Sequence, residues 1–188
     1  MGSGMKNGLT DRMRGRPRDE LAKRALLEAA YDLVVKHGYA EVSIDAIAAQ
    51  AGSGKQTIYR WWPGKADLVL DALEGWAEAE INIAESDTVA AFLRKVCEGA
   101  TRAGPVLRSL MAEAQFDPAL RQKLKVRLIE PRREAFRRCL AHAGIRARDR
   151  EALVLAIYGA LWYRLFLDEP LDTAFVKTMT KLARGQDG

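Results

Sequence analysis

The sequence predicts an all-α protein on three observations. Helix formers (Ala, Leu, Glu, Lys, Arg) dominate its 188 residues, and β-branched runs are short. Apolar residues recur at i, i+3, i+4 and i+7 spacing. Glycines, prolines and capping Ser or Asp residues punctuate those stretches regularly. With 48% hydrophobic and 29% charged residues, the composition is that of an ordinary globular protein, long enough to bury a sizeable core.

Residues 1–18 are rich in Gly, Arg and Lys and lack apolar periodicity, so they are expected to form a flexible basic arm. Its opening, Met1-Gly2-Ser3-Gly4-Met5, reads as a cloning scar before a second start. A first helix is expected from about Asp19 to Lys36, where Leu21, Ala25, Leu26, Ala29, Ala30, Leu33 and Val34 share one broad face. His37-Gly38 stops it. Ser43 caps a second helix with Ile44, Ile47, Ala48 and Ala51 on its apolar face, and Gly52 breaks it. The third, about Gly54 to Trp61, ends at Pro63, which disfavours helical geometry at Trp62. A fourth starts near Gly64 and is periodic through Leu68, Val69, Ala72, Leu73 and Trp76 to about Ile83.

Ser86-Asp87 are expected to cap a fifth helix carrying Val89, Phe92, Leu93, Val96 and Cys97, and Gly104-Pro105 opens a sixth. Asp117-Pro118 sets an N-cap before an N1 proline. Pro131 is expected to kink or restart that helix, which resumes through Ala135, Phe136, Cys139 and Leu140 and stops at Gly144. The last two run from about Arg148 to Leu167 and from about Asp172 to Arg184. The division is an arm over 1–18, a helix–turn–helix domain over 19–63 and a larger helical domain over 64–188.

The third helix carries the chemistry. Ile58 and Trp62, spaced i, i+4, can face a core shared with the first two helices, leaving Lys55, Gln56, Tyr59 and Arg60 on the opposite side. Lys55 and Arg60 suit guanine edges or phosphates, and Gln56 suits adenine. The Thr57 and Tyr59 hydroxyls suit phosphates, as do Ser43 and the cationic helix start at Lys65. A solvated polar helix fits the same residues. Charge distribution leans towards nucleic acid: residues 1–65 carry 11 Lys and Arg against 7 Asp and Glu, whereas the remainder carries 19 against 18. In the arm, Arg14-Gly15-Arg16-Pro17-Arg18 alternates cations with unbulky residues, as an extended chain in a narrow minor groove requires. A disordered basic tail has the same composition.

These residues fall in a familiar order. Lys36-His37-Gly38-Tyr39, Ser43-Ile44, Ile47-Ala48, Ala51-Gly52, Thr57-Ile58-Tyr59, Trp62-Pro63 and Lys65 make residues 19–66 resemble the N-terminal domain of the TetR family of bacterial transcriptional regulators. The resemblance implies a homodimeric, ligand-responsive protein that binds double-stranded operator DNA, usually as a repressor. It places Ser43, Lys55, Gln56, Thr57, Tyr59, Arg60, Trp61 and Lys65 where family members touch DNA. Two positions depart from the pattern: Ser53 stands where the family has a buried valine, and Gly54 replaces a serine-like cap. Gly52-Ser53-Gly54-Lys55 also resembles the end of a phosphate-binding loop. That motif needs glycine at Ala49 and Ser or Thr at Gln56, so it is rejected.

Beyond Gly64 the family uses its helices for a ligand pocket and a dimer interface. The helix over 148–167 is apolar almost all round, so it must bury more than one face. Phe136, Leu140, Leu153, Ile157 and Leu161 are the expected dimer-interface residues, with Ala156, Gly159 and Ala160 small enough for a close partner helix. A central core helix of a monomer has the same pattern. Trp76, Phe92, Met111, Phe116 and Trp162 are the candidate effector-binding residues, although core packing also accounts for each. With few polar groups beside them, a small apolar effector is expected.

Catalytic, cofactor and metal sites are not expected. His37 and His142 have no cysteine or carboxylate partners at ligand spacing, and no nucleophile motif appears. Cys97 and Cys139 read as reduced, buried thiols of a cytoplasmic protein, and no apolar run is long enough to span a membrane. An architectural DNA binder without an effector is the competing reading.

Overall fold

The computed structural model describes residues 10–81, 83–84 and 87–185, and every element among them is helical. The helix–turn–helix domain comprises α1 (Thr10–His37), α2 (Ile44–Gln50) and α3 (Lys55–Trp61). Next come α4 (Lys65–Glu80), α5 (Val89–Arg102), α6 (Gly104–Glu113), α7 (Pro118–Leu124), a π-helical segment (Lys125–Ile129), α8 (Glu130–His142), α9 (Ala147–Phe166) and α10 (Thr173–Arg184).

The caps explain most boundaries. Ser43 Oγ accepts from the Ala46 N–H at 3.1 Å, and Asp117 accepts from Ala119 and Leu120 at 2.8 and 3.0 Å. Gly38 and Gly52 sit at φ +81° and +60°, left-handed values that let α1 and α2 end sharply. Ahead of α5 the structure departs from the Ser86-Asp87 cap. Ser86 lies outside the described residues, and Thr88 Oγ1 caps Ala91 at 3.2 Å. Asp87 instead accepts from the Ala84 N–H and pairs with Lys95.

One more element differs from expectation. Residues 1–9 of the expected arm lie outside the described residues, but from Thr10 the backbone is helical through Arg14, Arg16, Pro17 and Arg18. Arginine is a good helix former, and α1 once nucleated extends backwards one bond per residue, although Pro17 withholds its own N–H and crowds the preceding turn. At Pro131 the chain restarts as expected, α8 opening at Glu130 with the proline in its first turn. The π-helical turn before α8 shifts the register, with the Glu130 N–H bonding the Lys125 carbonyl, and so absorbs the missing donor.

One continuous apolar core runs from the small domain into the large one. Leu26, Ala30, Val34, Ile47, Ile58 and Leu68 fill it beneath α3, while Phe92, Leu110, Phe136, Leu140 and Val154 fill it between α5, α6, α8 and α9. Cys97 and Cys139 are free and buried, and burial pushes the Cys97 thiol up to about 12. No described helix is long and apolar enough to cross a membrane.

Candidate nucleic-acid interface

Helix α3 is fixed from beneath and open above. Ile58 and Trp62 are 0% and 2% exposed, in the core shared with α1 and α2. Lys55, Gln56, Tyr59 and Arg60 all lie on the exposed side, and Thr57 is half-buried. The two cations are held by exposed carboxylates, Lys55 Nζ 2.6 Å from Asp45 and Arg60 Nη2 2.8 Å from Asp19. Such pairs are worth at most about 1 kcal/mol, so a phosphate or base edge can displace them. Ser43 is exposed at the start of α2, and its hydroxyl keeps a proton to donate while its oxygen caps the helix. Gly54 is the N-cap of α3 and supplies no side-chain bond, so Lys55 opens the helix without an acidic neighbour in its first turn.

Two sequence-nominated residues have different surroundings from those expected. Lys65 is not an open phosphate site: its ammonium donates to the Tyr39 and Val42 carbonyls at 2.8 and 2.9 Å and sits 4.2 Å from the Tyr39 ring centre. It straps α4 to the turn between α1 and α2, and burial lowers its pKa. Trp61 is half-buried, with Lys23 and Arg60 stacked near its ring at 5.2 and 5.6 Å, and its Nε1 finds no hydrogen-bond partner among the described residues. The backbone of Arg14, Arg16 and Arg18 lies in α1, and their side chains lie outside the described part.

The C-terminal cap of α3 is tied to the large domain. Trp62 Nε1–H donates to Asp71 Oδ2 at 2.7 Å, and the other Asp71 oxygen accepts from Arg127 Nη2. Arg127, on the π-helical segment, also makes a two-pronged pair with Glu74 at 2.7 and 3.1 Å. Those Glu74 bonds, opposed by burial and reinforced by Asp71, raise the guanidinium pKa. Beside it Lys123 holds Asp67 at 2.8 Å. The acidic row Asp67, Asp71 and Glu74, at i, i+4, i+7 between the apolar positions of α4, calls for cations from elsewhere in the chain. Sequence reasoning missed it.

Arg127 also lines a cavity of about 540 Å3 between α4, α5, the π-helical segment, α8 and α9. Of the candidate effector-binding residues, Trp76 and Trp162 are in its wall. Trp76 is braced by Tyr31, stacked at 5.5 Å, and by Arg102 at 5.7 Å. The other three candidates are corrected. Phe92 is core, stacked on Phe136 at 5.1 Å, and Met111 is half-buried away from the cavity. Phe116 is 87% exposed, in the turn before α7.

The expected dimer residues need correcting too. Phe136, Leu140, Ile157 and Leu161 are buried within the protomer, and Leu153 is half-buried against the same core. A helix apolar on every side does not reveal which face its own subunit takes. Among the residues α9 leaves in solvent are Leu155, Ala156, Gly159, Tyr163 and Phe166, a stripe at i, i+1, i+4, i+8 and i+11.

Comparison with known proteins agrees with this architecture. A family model described as bacterial regulatory proteins, tetR family, matches residues 26–72. Another, tetracyclin repressor-like, C-terminal domain, matches residues 86–183. The uncharacterized HTH-type transcriptional regulator YdeS of Bacillus subtilis is 33% identical, the match covering 85% of this chain and 87% of YdeS. The DNA-binding transcriptional repressor TetR of Mycobacteroides abscessus is 30% identical over 85% of this chain and 90% of its own. Among solved structures, the TetR family transcription regulator SCO0332 superposes with a TM-score of 0.70 at 29% identity, covering 89% of this chain and 99% of that one. The chain belongs to the TetR family of bacterial transcriptional regulators.

Proposed function

We propose that this protein is a homodimeric repressor that reads operator DNA with α3 and is released by a small ligand in the cavity between α4, α5, α8 and α9. The observation that carries this reading is the link from Trp62 through Asp71 to Arg127, which joins the cap of the reading helix to the cavity wall. An occupant that shifts the π-helical segment moves Arg127, and with it the carboxylate holding Trp62. That gives a ligand different contacts in two orientations of the head, which is what coupling requires.

On the DNA, Lys55, Gln56 and Arg60 take the base edges, while Ser43, Thr57 and Tyr59 take phosphates that set register. The helical N-terminal extension brings Arg14, Arg16 and Arg18 to the flanking backbone. Two copies associate through the stripe of Leu155, Ala156, Gly159, Tyr163 and Phe166, giving two heads for two half-sites.

Both parts have direct tests. Ala100 lines the cavity, so Ala100→Trp imitates occupancy without any ligand. It is expected to weaken operator binding about tenfold, a coupling within the usual 1–3 kcal/mol. Unchanged or tighter binding by the folded variant in fluorescence anisotropy contradicts release by a ligand. Gly159 has nothing within 4 Å of an added Cβ, so Gly159→Glu costs the protomer nothing and gains helix propensity. Sedimentation is expected to show a monomer, and a persisting dimer rules this stripe out.

A further inference from the structure

We propose that the cavity takes an amphipathic monoanion, an apolar body ending in a carboxylate or comparable head, and that Arg132 anchors that head. The inference rests on the ligand-responsive reading above and names its ligand class. Most of the wall is apolar, with Trp76, Val96, Ala100, Leu107, Leu161 and Trp162 among its side chains. Arg132 interrupts it. The Arg132 guanidinium is half-buried and spends one N–H on the Leu128 carbonyl at 3.0 Å. Among the described residues no carboxylate comes within 4 Å of it.

The other charges of the wall are accounted for. Arg127 is held in contact by both Asp71 and Glu74, and Glu78 is exposed at the rim. A desolvated guanidinium with no carboxylate in contact is costly, and burial depresses the Arg132 pKa against the weaker, longer-range pull of Tyr158 and Glu74. Four of its five N–H donors remain for a ligand, enough for a two-pronged grip on a carboxylate. The Tyr158 hydroxyl, itself in the cavity wall, donates to the Arg132 carbonyl at 3.1 Å and so fixes the residue's backbone. A neutral ligand leaves these donors without a charged acceptor in contact, and a cationic head gains nothing from them.

Calorimetric titration of the full chain with dodecanoate, 1-dodecanol and dodecyltrimethylammonium, each below its micellar concentration, tests the assignment. Dodecanoate is expected to bind at least about tenfold more tightly than the alcohol, the worth of a charged hydrogen bond, and the ammonium weakest. Arg132→Gln is expected to equalise the acid and the alcohol, and Arg132→Lys to keep the preference, which also serves if the glutamine variant fails to fold. Equal affinity for acid and alcohol in the parent, no binding of dodecanoate, or a preference that survives Arg132→Gln overturns the proposal. The two readings fail separately. An anion preference without effect on operator affinity sinks ligand release alone. Weakened operator binding in Ala100→Trp without any anion preference sinks the Arg132 site alone.

Discussion

Replacing Lys55 and Arg60 together by alanine is expected to weaken binding to the operator duplex by roughly two powers of ten, since each lost base or phosphate contact is worth about 1–3 kcal/mol. Both side chains stand on the exposed face of α3, and among the described residues their only ion pairs are with exposed Asp45 and Asp19. Losing those pairs leaves folding nearly untouched, so the melting temperature is expected to stay within a few degrees of the parent's. Electrophoretic mobility shift and thermal denaturation of the same preparation separate the two effects. The salt dependence of binding is also expected to flatten, because fewer counterions are released. Parental affinity in the double variant removes α3 from the account.

Phe136→Ala is expected to be the most damaging single change to stability. The ring is fully buried, stacked on Phe92 at 5.1 Å and met edge-on by Tyr158 at 5.9 Å. Truncating a buried phenylalanine costs about 3–5 kcal/mol, which for a chain of this size lowers the melting temperature by roughly 10 °C. The same substitution distinguishes core from interface. If Phe136 faced a second subunit, alanine would dissociate the dimer and leave the protomer's own packing intact. Because it lies inside the protomer, unfolding is expected to shift while sedimentation at low temperature still shows the dimer. A monomer with unchanged melting contradicts this assignment.

The small domain was legible because its determinants are local. Ser43 caps α2, Gly52 turns at positive φ, and Ile58 and Trp62 sit four residues apart beneath α3, so spacing alone sorted core from surface. In the large domain the sorting depends on which helices meet. Phe92 and Trp162 look alike in sequence, yet one packs on Phe136 and the other lines the cavity. Ile157 and Leu161 are covered by their own subunit, while Leu155 and Tyr163 two residues away are not. Arg127 and Arg132 look like solvated charges in an Arg-rich helix. Only the fold brings one against the acidic row of α4 and leaves the other in the cavity wall with no described carboxylate in contact.

The most direct test of the central claim is the affinity of the full chain for a duplex recovered by selection from random DNA, set against a scrambled duplex of equal composition. Sequence reading by paired α3 helices predicts a recovered site of two inverted, palindromic half-sites and a preference of at least about a thousandfold at physiological salt. Equal affinity for both duplexes, falling together as salt rises, contradicts it and leaves a binder of the DNA backbone.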